Sequence, residues 1–221
     1  MEPLSFYARV ETINQTTYET NTLRVLGEDK EGYTLRINEE EKVQLNAVYY
    51  FETQAIVFKE KEQLEVVKYT FIDDCEIPFE RRSELMSVFY DYAPVDSNLI
   101  KGIVESYLAK LENKIIKTIV FDIYDRYQQD FYLYPAATKF HHAYIGGLSY
   151  HTSTMLKLID GFMEVYPFLN EELLIAGIFL HDICKTVELS NYAGPEYTKE
   201  GKLLGHITMG VKEVEVVASE L

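Results

Sequence analysis

The sequence predicts an α+β protein in which a small β-barrel is followed by an all-α domain. Residues 5–73 break into short stretches rich in β-branched and aromatic residues, separated by turn-like stretches. From residue 79 onward, apolar residues recur at helical spacing instead. We therefore expect a barrel over residues 1–75, a helical connector over 76–135 and an all-α domain over 136–221.

Five strands are expected in the barrel. Three of them are predicted at 6–13, 21–28 and 32–38, and the segment 48–72 reads as two longer strands around the turn "KEKEQ". Five short strands in about 70 residues are typical of an OB-like barrel. An SH3-like barrel would give the same pattern.

Proline and capping residues divide the rest of the chain into helices. Asp96 or Ser97 can cap a second helix, and Asn170 can cap a later one. The expected helices cover 79–92, 98–114, 115–133, 144–165, 170–185 and 203–221.

Composition excludes several classes of protein. The net charge of −15 argues against broad non-specific binding of nucleic acid, although metal ions could still supply positive charge at a phosphate site. No apolar run is long enough to span a membrane, and the N-terminus lacks the features of a signal peptide. Two cysteines, Cys75 and Cys184, are too few for a disulfide framework. A reducing cytoplasm is therefore the expected location.

The stretch "FLHDICKTVEL" carries the clearest chemical signal. The apolar run "LLIAGIFL" ends at His181 and Asp182, and Lys185 follows. A helix that simply ends at solvent would explain this, but a buried aspartate is costly unless it is paired or binds a cation. Asp182 has two oxygens with which to bridge two metal ions. Lys185 could offset the helix dipole, or it could contact a phosphate or a metal-bound water.

All five histidines lie in the last 81 residues, and histidine is the commonest metal ligand among side chains. His151 lies on an apolar helix face, where it is either a hydrogen-bonded core residue or a ligand. His206 lies just off the apolar stripe of the last helix. That stripe consists of Ile207, Val211, Val214, Ala218 and Leu221.

The strings "KFHHAYIGGLSYHT", "LLIAGIFLHDICK" and "EYTKEGKLLGHITMG" resemble the HD superfamily of metal-dependent phosphohydrolases. With a preceding small barrel, the chain resembles the YhaM family of bacterial 3′-5′ exoribonucleases, which pair an OB-fold with an HD domain. The resemblance implies two divalent ions, with manganese favoured over iron, cobalt or zinc. The implied metal ligands are His151, His181, Asp182 and His206. Asp182 and Lys185 would be catalytic, and Lys185 would also bind substrate.

The resemblance leaves the substrate-binding groups open. His141 and His142 could contact substrate phosphates or cap a loop. Aromatic residues of the barrel could stack on bases of single-stranded RNA, or they could form its core. These are Tyr33, Tyr49, Tyr50 and Phe51. Residues 1–75 hold 8 Lys and Arg against 15 Asp and Glu, so the barrel is a poor electrostatic guide for RNA.

The family pattern continues past Leu221 with a further histidine pair and a final aspartate. The C-terminal part of the HD domain is therefore expected to be missing, which would leave the apolar stripe exposed for a homo-oligomer contact, or the C-terminus disordered. The expected activity is 3′-5′ exoribonuclease action on single-stranded RNA. The alternatives are an HD hydrolase of small nucleotides, and a non-catalytic nucleic-acid-binding or assembly protein with an incomplete metal site.

Overall fold

A computed structural model describes residues 3–16, 19–58, 60–139, 142–193 and 195–221. The chain divides into two compact units, Met1–Tyr90 and Asp91–Leu221. In this division the helix after the barrel belongs to the first unit, and residues 91–135 of the expected connector belong to the second.

The first unit is a closed five-stranded barrel, as predicted. Its strands follow the order β1-β2-β3-β5-β4, with β3 and β5 parallel and the other paired strands antiparallel. This arrangement matches an OB-like barrel. The strands are β1 (Ser5–Gln15), β2 (Thr20–Gly27), β3 (Gly32–Asn38), β4 (Val48–Phe58) and β5 (Lys61–Phe71).

Alternating apolar residues fill the barrel interior. Val10, Leu23, Leu35 and Phe51 are fully buried there. Helix α1 (Phe79–Phe89) packs on the same unit, because its residues Leu85 and Phe89 share a second cluster with Val48 and Ile72. Those contacts explain why the first unit extends to Tyr90.

The second unit is all-α. Asp96 and Asn170 cap helices through their side chains, as predicted. The helices are α2 (Ser97–Leu108), α3 (Lys114–Leu133), α4 (Gly147–Lys157), α5 (Ile159–Val165), α6 (Glu171–Leu180), α7 (Lys185–Glu188) and α8 (Lys199–Ser219).

The helices expected over 79–92 and 98–114 end early, at Phe89 and Leu108, and three later helices also differ from the sequence prediction. The helix expected over 144–165 is divided at Leu158, and the helix expected over 170–185 ends at Leu180. The last helix begins four residues earlier than expected, after the cap Thr198, and it contains a kink at Gly205. The last two of these differences shape the candidate site, because they fall beside Asp182 and His206.

Helices α3 and α6 both contribute residues to the apolar core of the second unit. Phe179 is fully buried and makes edge-on contacts with Tyr124 and Phe131 of α3. On α8 the buried side is formed by Met209 and Val217. Most of the predicted stripe faces outward, with Ile207 and Val211 each 55% exposed. Within the described part of the chain, no helix combines the length and apolar character needed to cross a membrane.

Candidate metal centre

Three parts of the second unit bring polar side chains to one place. His151 comes from α4, His181 and Asp182 follow α6, and His206 comes from α8 just after its kink. One ligand atom each from His151, His181 and Asp182 can be chosen so that all three atoms lie within 4.8 Å of one another. His206 is not a member of this group of three, and its Nε2 lies 3.1 Å from the other oxygen of Asp182.

The short stretch after α6 explains how these side chains are aimed. The helix ends at Leu180, and a turn follows in which the amide of Ile183 donates to the carbonyl of Leu180 and that of Lys185 donates to the carbonyl of Asp182. Ile183 and Cys184 are each 1% exposed and join the apolar core. Asp182 and Lys185, the polar residues on either side of this pair, are therefore directed at the site.

The carboxylate of Asp182 has different neighbours at its two oxygens. Oδ2 lies 3.4 Å from Nε2 of His181 and 3.8 Å from Nε2 of His151. Oδ1 lies 3.1 Å from Nε2 of His206 and 3.9 Å from Nζ of Lys185. Asp182 thus stands between two histidines on one side and a histidine and a lysine on the other.

The ring of His181 is held in one orientation by the backbone. Its Nδ1–H donates to the carbonyl oxygen of Ile178 at 2.7 Å. Because a carbonyl oxygen can only accept, Nδ1 keeps its proton, and Nε2 is the nitrogen directed at Asp182. This is the arrangement that a metal-binding histidine commonly has.

Glu188 is a component of the site that sequence reasoning missed. It is only 6% exposed, and its Oε2 lies 2.9 Å from Nδ1 of His206. The backbone N–H of His206 donates to Oε1 of the same carboxylate at 3.1 Å. The signal that could have revealed it is the pair of glycines, Gly201 and Gly205, in an otherwise helical pattern.

The charges of the site are strongly coupled. Burial acts to raise the pKa of Asp182, but hydrogen bonds from His181 and His206 and the charges of His181 and Lys185 hold it well below its usual range. The hydrogen bond to Asp182 raises the pKa of His181 and also that of His206, against the effect of burial. Without metal, the site therefore favours an ionised carboxylate with protonated histidines.

The remaining predicted site residues lie at different distances from this cluster. The ring of His142 is centred 5.5 Å from that of His151, and its Nδ1 is 2.6 Å from the hydroxyl of Tyr144. Lys185 is largely buried, with 14% of its side chain exposed. His141 lies outside the described residues.

The barrel aromatics do not all fit the predicted stacking role. Tyr49 and Phe51 are 4% and 0% exposed and belong to the barrel core, so the stacking interpretation is wrong for both. Tyr33 and Tyr50 are half-buried, and each packs on another aromatic ring. The alternation that made these residues strand-like also turned two of them inward.

The donor set fits a divalent transition metal. Imidazole nitrogens and carboxylate oxygens are the ligands that zinc, iron, cobalt and manganese take in proteins. Asp182 is 8% exposed and already surrounded by imidazole Nε2 atoms. Burial raises the pKa of the nearby Cys184 thiol to about 11, which disfavours a thiolate ligand.

The chain combines an OB-like barrel with a helical unit that carries a cluster of histidines and an aspartate. Among curated proteins, the chain is similar to the 3′-5′ exoribonuclease YhaM of Listeria innocua, with 39% identity over 135 residues. It is 41% identical over 136 residues to the protein of that name from Geobacillus sp. strain WCH70, and 39% identical over 133 residues to that of Bacillus subtilis strain 168. These matches confirm the resemblance indicated by the motifs.

The similarity covers part of each protein. The matches span 60–62% of this chain but only 42–43% of the relatives' length. No family model matches the chain. A solved structure described as "Structure and Conformational Change of a Replication Protein A Heterotrimer Bound to ssDNA" covers 40% of this chain and 68% of its own chain, at a TM-score of 0.29 and 11% identity. That likeness is too low to bear on fold or function.

Proposed function

We propose that this chain carries a divalent-metal phosphodiesterase site that removes nucleotides from the 3′ end of single-stranded RNA. The observation that supports this most is the buried carboxylate of Asp182 among three imidazole Nε2 atoms. The 39–41% identity to proteins named 3′-5′ exoribonuclease YhaM supports the proposed reaction.

The metal would be held by His151, His181, Asp182 and His206. The two oxygens of Asp182 face different histidines, so these residues could hold two ions, and the family resemblance favours manganese. Bound divalent ions would activate a water molecule and stabilise the negative charge that develops on the phosphate.

Two side chains near the proposed metal ligands would offset the negative charge of the substrate's phosphate. Lys185 is held beside Asp182 and Glu188, with its Nζ 3.9 Å from an oxygen of each, so it is poised to contact a phosphate oxygen. His142, next to His151, is the second proposed phosphate contact. Such local cations matter because the chain as a whole carries a net charge of −15 and repels RNA.

A hydrolase of small nucleotides is the second candidate. It is favoured by the acidic character of the barrel segment, since residues 1–75 contain 15 Asp and Glu against 8 Lys and Arg. Such a surface attracts a long polyanion poorly, whereas a single nucleotide would need only the local cations of the second unit.

Product analysis separates the two candidates. The chain, supplied with excess Mn²⁺, would be incubated with 5′-labelled single-stranded RNA and, separately, with a panel of nucleoside mono-, di- and triphosphates. A ladder of products shortened from the 3′ end, absent with Asp182→Asn, is the expected result. Intact RNA together with hydrolysed nucleotides would instead support the second candidate, and the same products from Asp182→Asn would remove this site from the reaction.

A further inference from the structure

Glu188 has no role in the proposed chemistry, yet it is one of the most buried acidic side chains among the described residues. A buried carboxylate is costly unless hydrogen bonds and opposite charges compensate for lost water. Glu188 has these partners: the backbone N–H and Nδ1 of His206, and the ammonium group of Lys185 at 3.9 Å. Both of its oxygens are directed at His206.

We infer that Glu188 is a positioning residue that holds the ring and the backbone of His206 so that Nε2 is directed at the metal site. The inference rests on the proposed metal centre. Oε2 of Glu188 can only accept, so Nδ1 of His206 donates to it. Nε2 lies 3.1 Å from Oδ1 of Asp182, which also can only accept, so without metal both nitrogens are protonated and a metal ion would replace the proton on Nε2 while Nδ1–H stays with Glu188. Glu188 and Asp182 thus face opposite nitrogens of one ring.

The second contact of Glu188 depends on the kink in α8. Gly205 has φ 73° and ψ 155°, so the helical hydrogen-bond ladder is interrupted there and His206 starts a new helical segment. The amide of His206 donates to Oε1 of Glu188, which acts as a cap supplied by another helix. A negative charge at the start of a helix is favourable, so the same carboxylate holds both the backbone and the ring of His206.

Gly201 lets α8 approach Glu188 closely enough for these contacts. A Cβ atom at position 201 would lie 2.4 Å from the carbonyl oxygen of Glu188 and 3.0 Å from its Cα and Cγ. The amide of Thr198 also donates to that carbonyl at 2.9 Å. The positions of Gly201 and Gly205 therefore serve one geometric purpose, which is to seat His206 on Glu188.

Glutamine at position 188 would have the same shape but the wrong donors. If its amide oxygen faced the backbone N–H of His206, its NH₂ group would face Nδ1 and drive the ring proton to Nε2. If the amide were flipped, the NH₂ group would oppose the backbone N–H. The first orientation reverses the ring hydrogen bond and places the ring proton on the nitrogen that the metal needs, and the second loses the contact to the backbone N–H.

The test is the ring of His206 in the protein loaded with Zn²⁺, a diamagnetic ion that takes the same ligands. Nitrogen-15 spectra would be recorded with and without Zn²⁺, and the His206 signal assigned by its loss in His206→Ala. We expect Zn²⁺ on Nε2 and a proton on Nδ1 in the wild type, and a His206 signal that Zn²⁺ shifts little or not at all in Glu188→Gln. Mn²⁺ affinity should fall about 10- to 100-fold in Glu188→Gln, as for other groups that orient a ligand. Glu213→Gln, on the same helix, is the matched control and should keep both properties.

Two outcomes would overturn the inference. A Zn²⁺-loaded wild type in which Nδ1 of His206 carries no proton would do so even if Glu188→Gln failed to fold. An unchanged His206 signal and Mn²⁺ affinity in a folded Glu188→Gln would do so as well. A wild type in which Nδ1 of His206 is protonated but that binds neither Zn²⁺ nor Mn²⁺ would refute the metal centre while leaving the contact between Glu188 and His206 in place.

Discussion

Nε2 of His206 lies 3.1 Å from Oδ1 of Asp182, on the opposite side of the carboxylate from His151 and His181. His206 is separated from Asp182 by 24 positions in sequence, and the kink at Gly205 brings the two together. One carboxylate therefore faces histidines from α4, from the end of α6 and from α8. This makes Asp182 the residue on which the whole arrangement depends.

Asp182→Asn should weaken Mn²⁺ binding by more than about 100-fold, because loss of a direct ligand costs at least as much as loss of a group that orients one. Asparagine keeps the shape but offers one neutral oxygen in place of two charged ones. Isothermal titration calorimetry with Mn²⁺ measures the effect. Asp125→Asn, an exposed position on α3, should bind like the wild type. Equal affinity in all three proteins would contradict the assignment of Asp182.

Lys185→Met should lower turnover far more than metal content, since the ammonium group lies beside the carboxylates but is not itself a ligand type. Removing a charge-assisted contact to a phosphate typically costs about 1.5–3 kcal/mol, or roughly a 10- to 100-fold loss in rate. Metal content by atomic emission and initial rates should be measured on the same preparation. A parallel loss of metal and rate would show that Lys185 supports the metal centre instead.

The pH dependence should run in opposite directions without and with metal. Because His181 and His206 have raised pKa values, they add stability that is fully present below the ordinary pKa of 6.5 and is lost as pH rises through their folded-state pKa values. Metal binding needs neutral rings, so the stabilisation by Mn²⁺ should grow over the same interval. Thermal melts with and without Mn²⁺ across this range measure both trends. Mn²⁺ stabilisation that is independent of pH would argue against histidine ligands.

Gly201→Ala should destabilise the second unit by about 1–3 kcal/mol, as expected for an extra group forced into a packed contact. The new Cβ would collide with the backbone of Glu188. Gly102→Ala is the matched control, because nothing lies within 4 Å of its Cβ position in α2 and alanine favours a helix by about 1 kcal/mol. Denaturant unfolding of both variants gives the comparison. A Gly201→Ala variant as stable as Gly102→Ala would contradict the close approach of α8 to Glu188.

Local patterns accounted for most elements but not for the details of the site. The alternation of apolar residues located all five strands, and Asp96 and Asn170 were correctly read as caps. Helix α6 ends at Leu180 and not at 185 as predicted, because Ile183 and Cys184 continue the apolar pattern although a turn carries them into the core. Periodicity reports burial, and it does not distinguish a helix from a buried turn.

Glu188 illustrates what the sequence hides. An acidic residue near a helix end normally faces water, and its burial here depends on the approach of Gly201, 13 positions later. His206 was placed just off the apolar stripe, which agrees with its half-buried state, but its partner could not be identified. That partner is set by tertiary packing of α7 against α8.

Anomalous X-ray diffraction from crystals of the protein grown with Mn²⁺ tests the central claim most directly. The account predicts an anomalous peak in direct contact with Nε2 of His181, with Nε2 of His151 and with Asp182. A second ion is predicted on the Oδ1 side of Asp182, beside Nε2 of His206. A map with no peak beside Asp182 at saturating Mn²⁺, or with peaks only at exposed surface carboxylates, would contradict it.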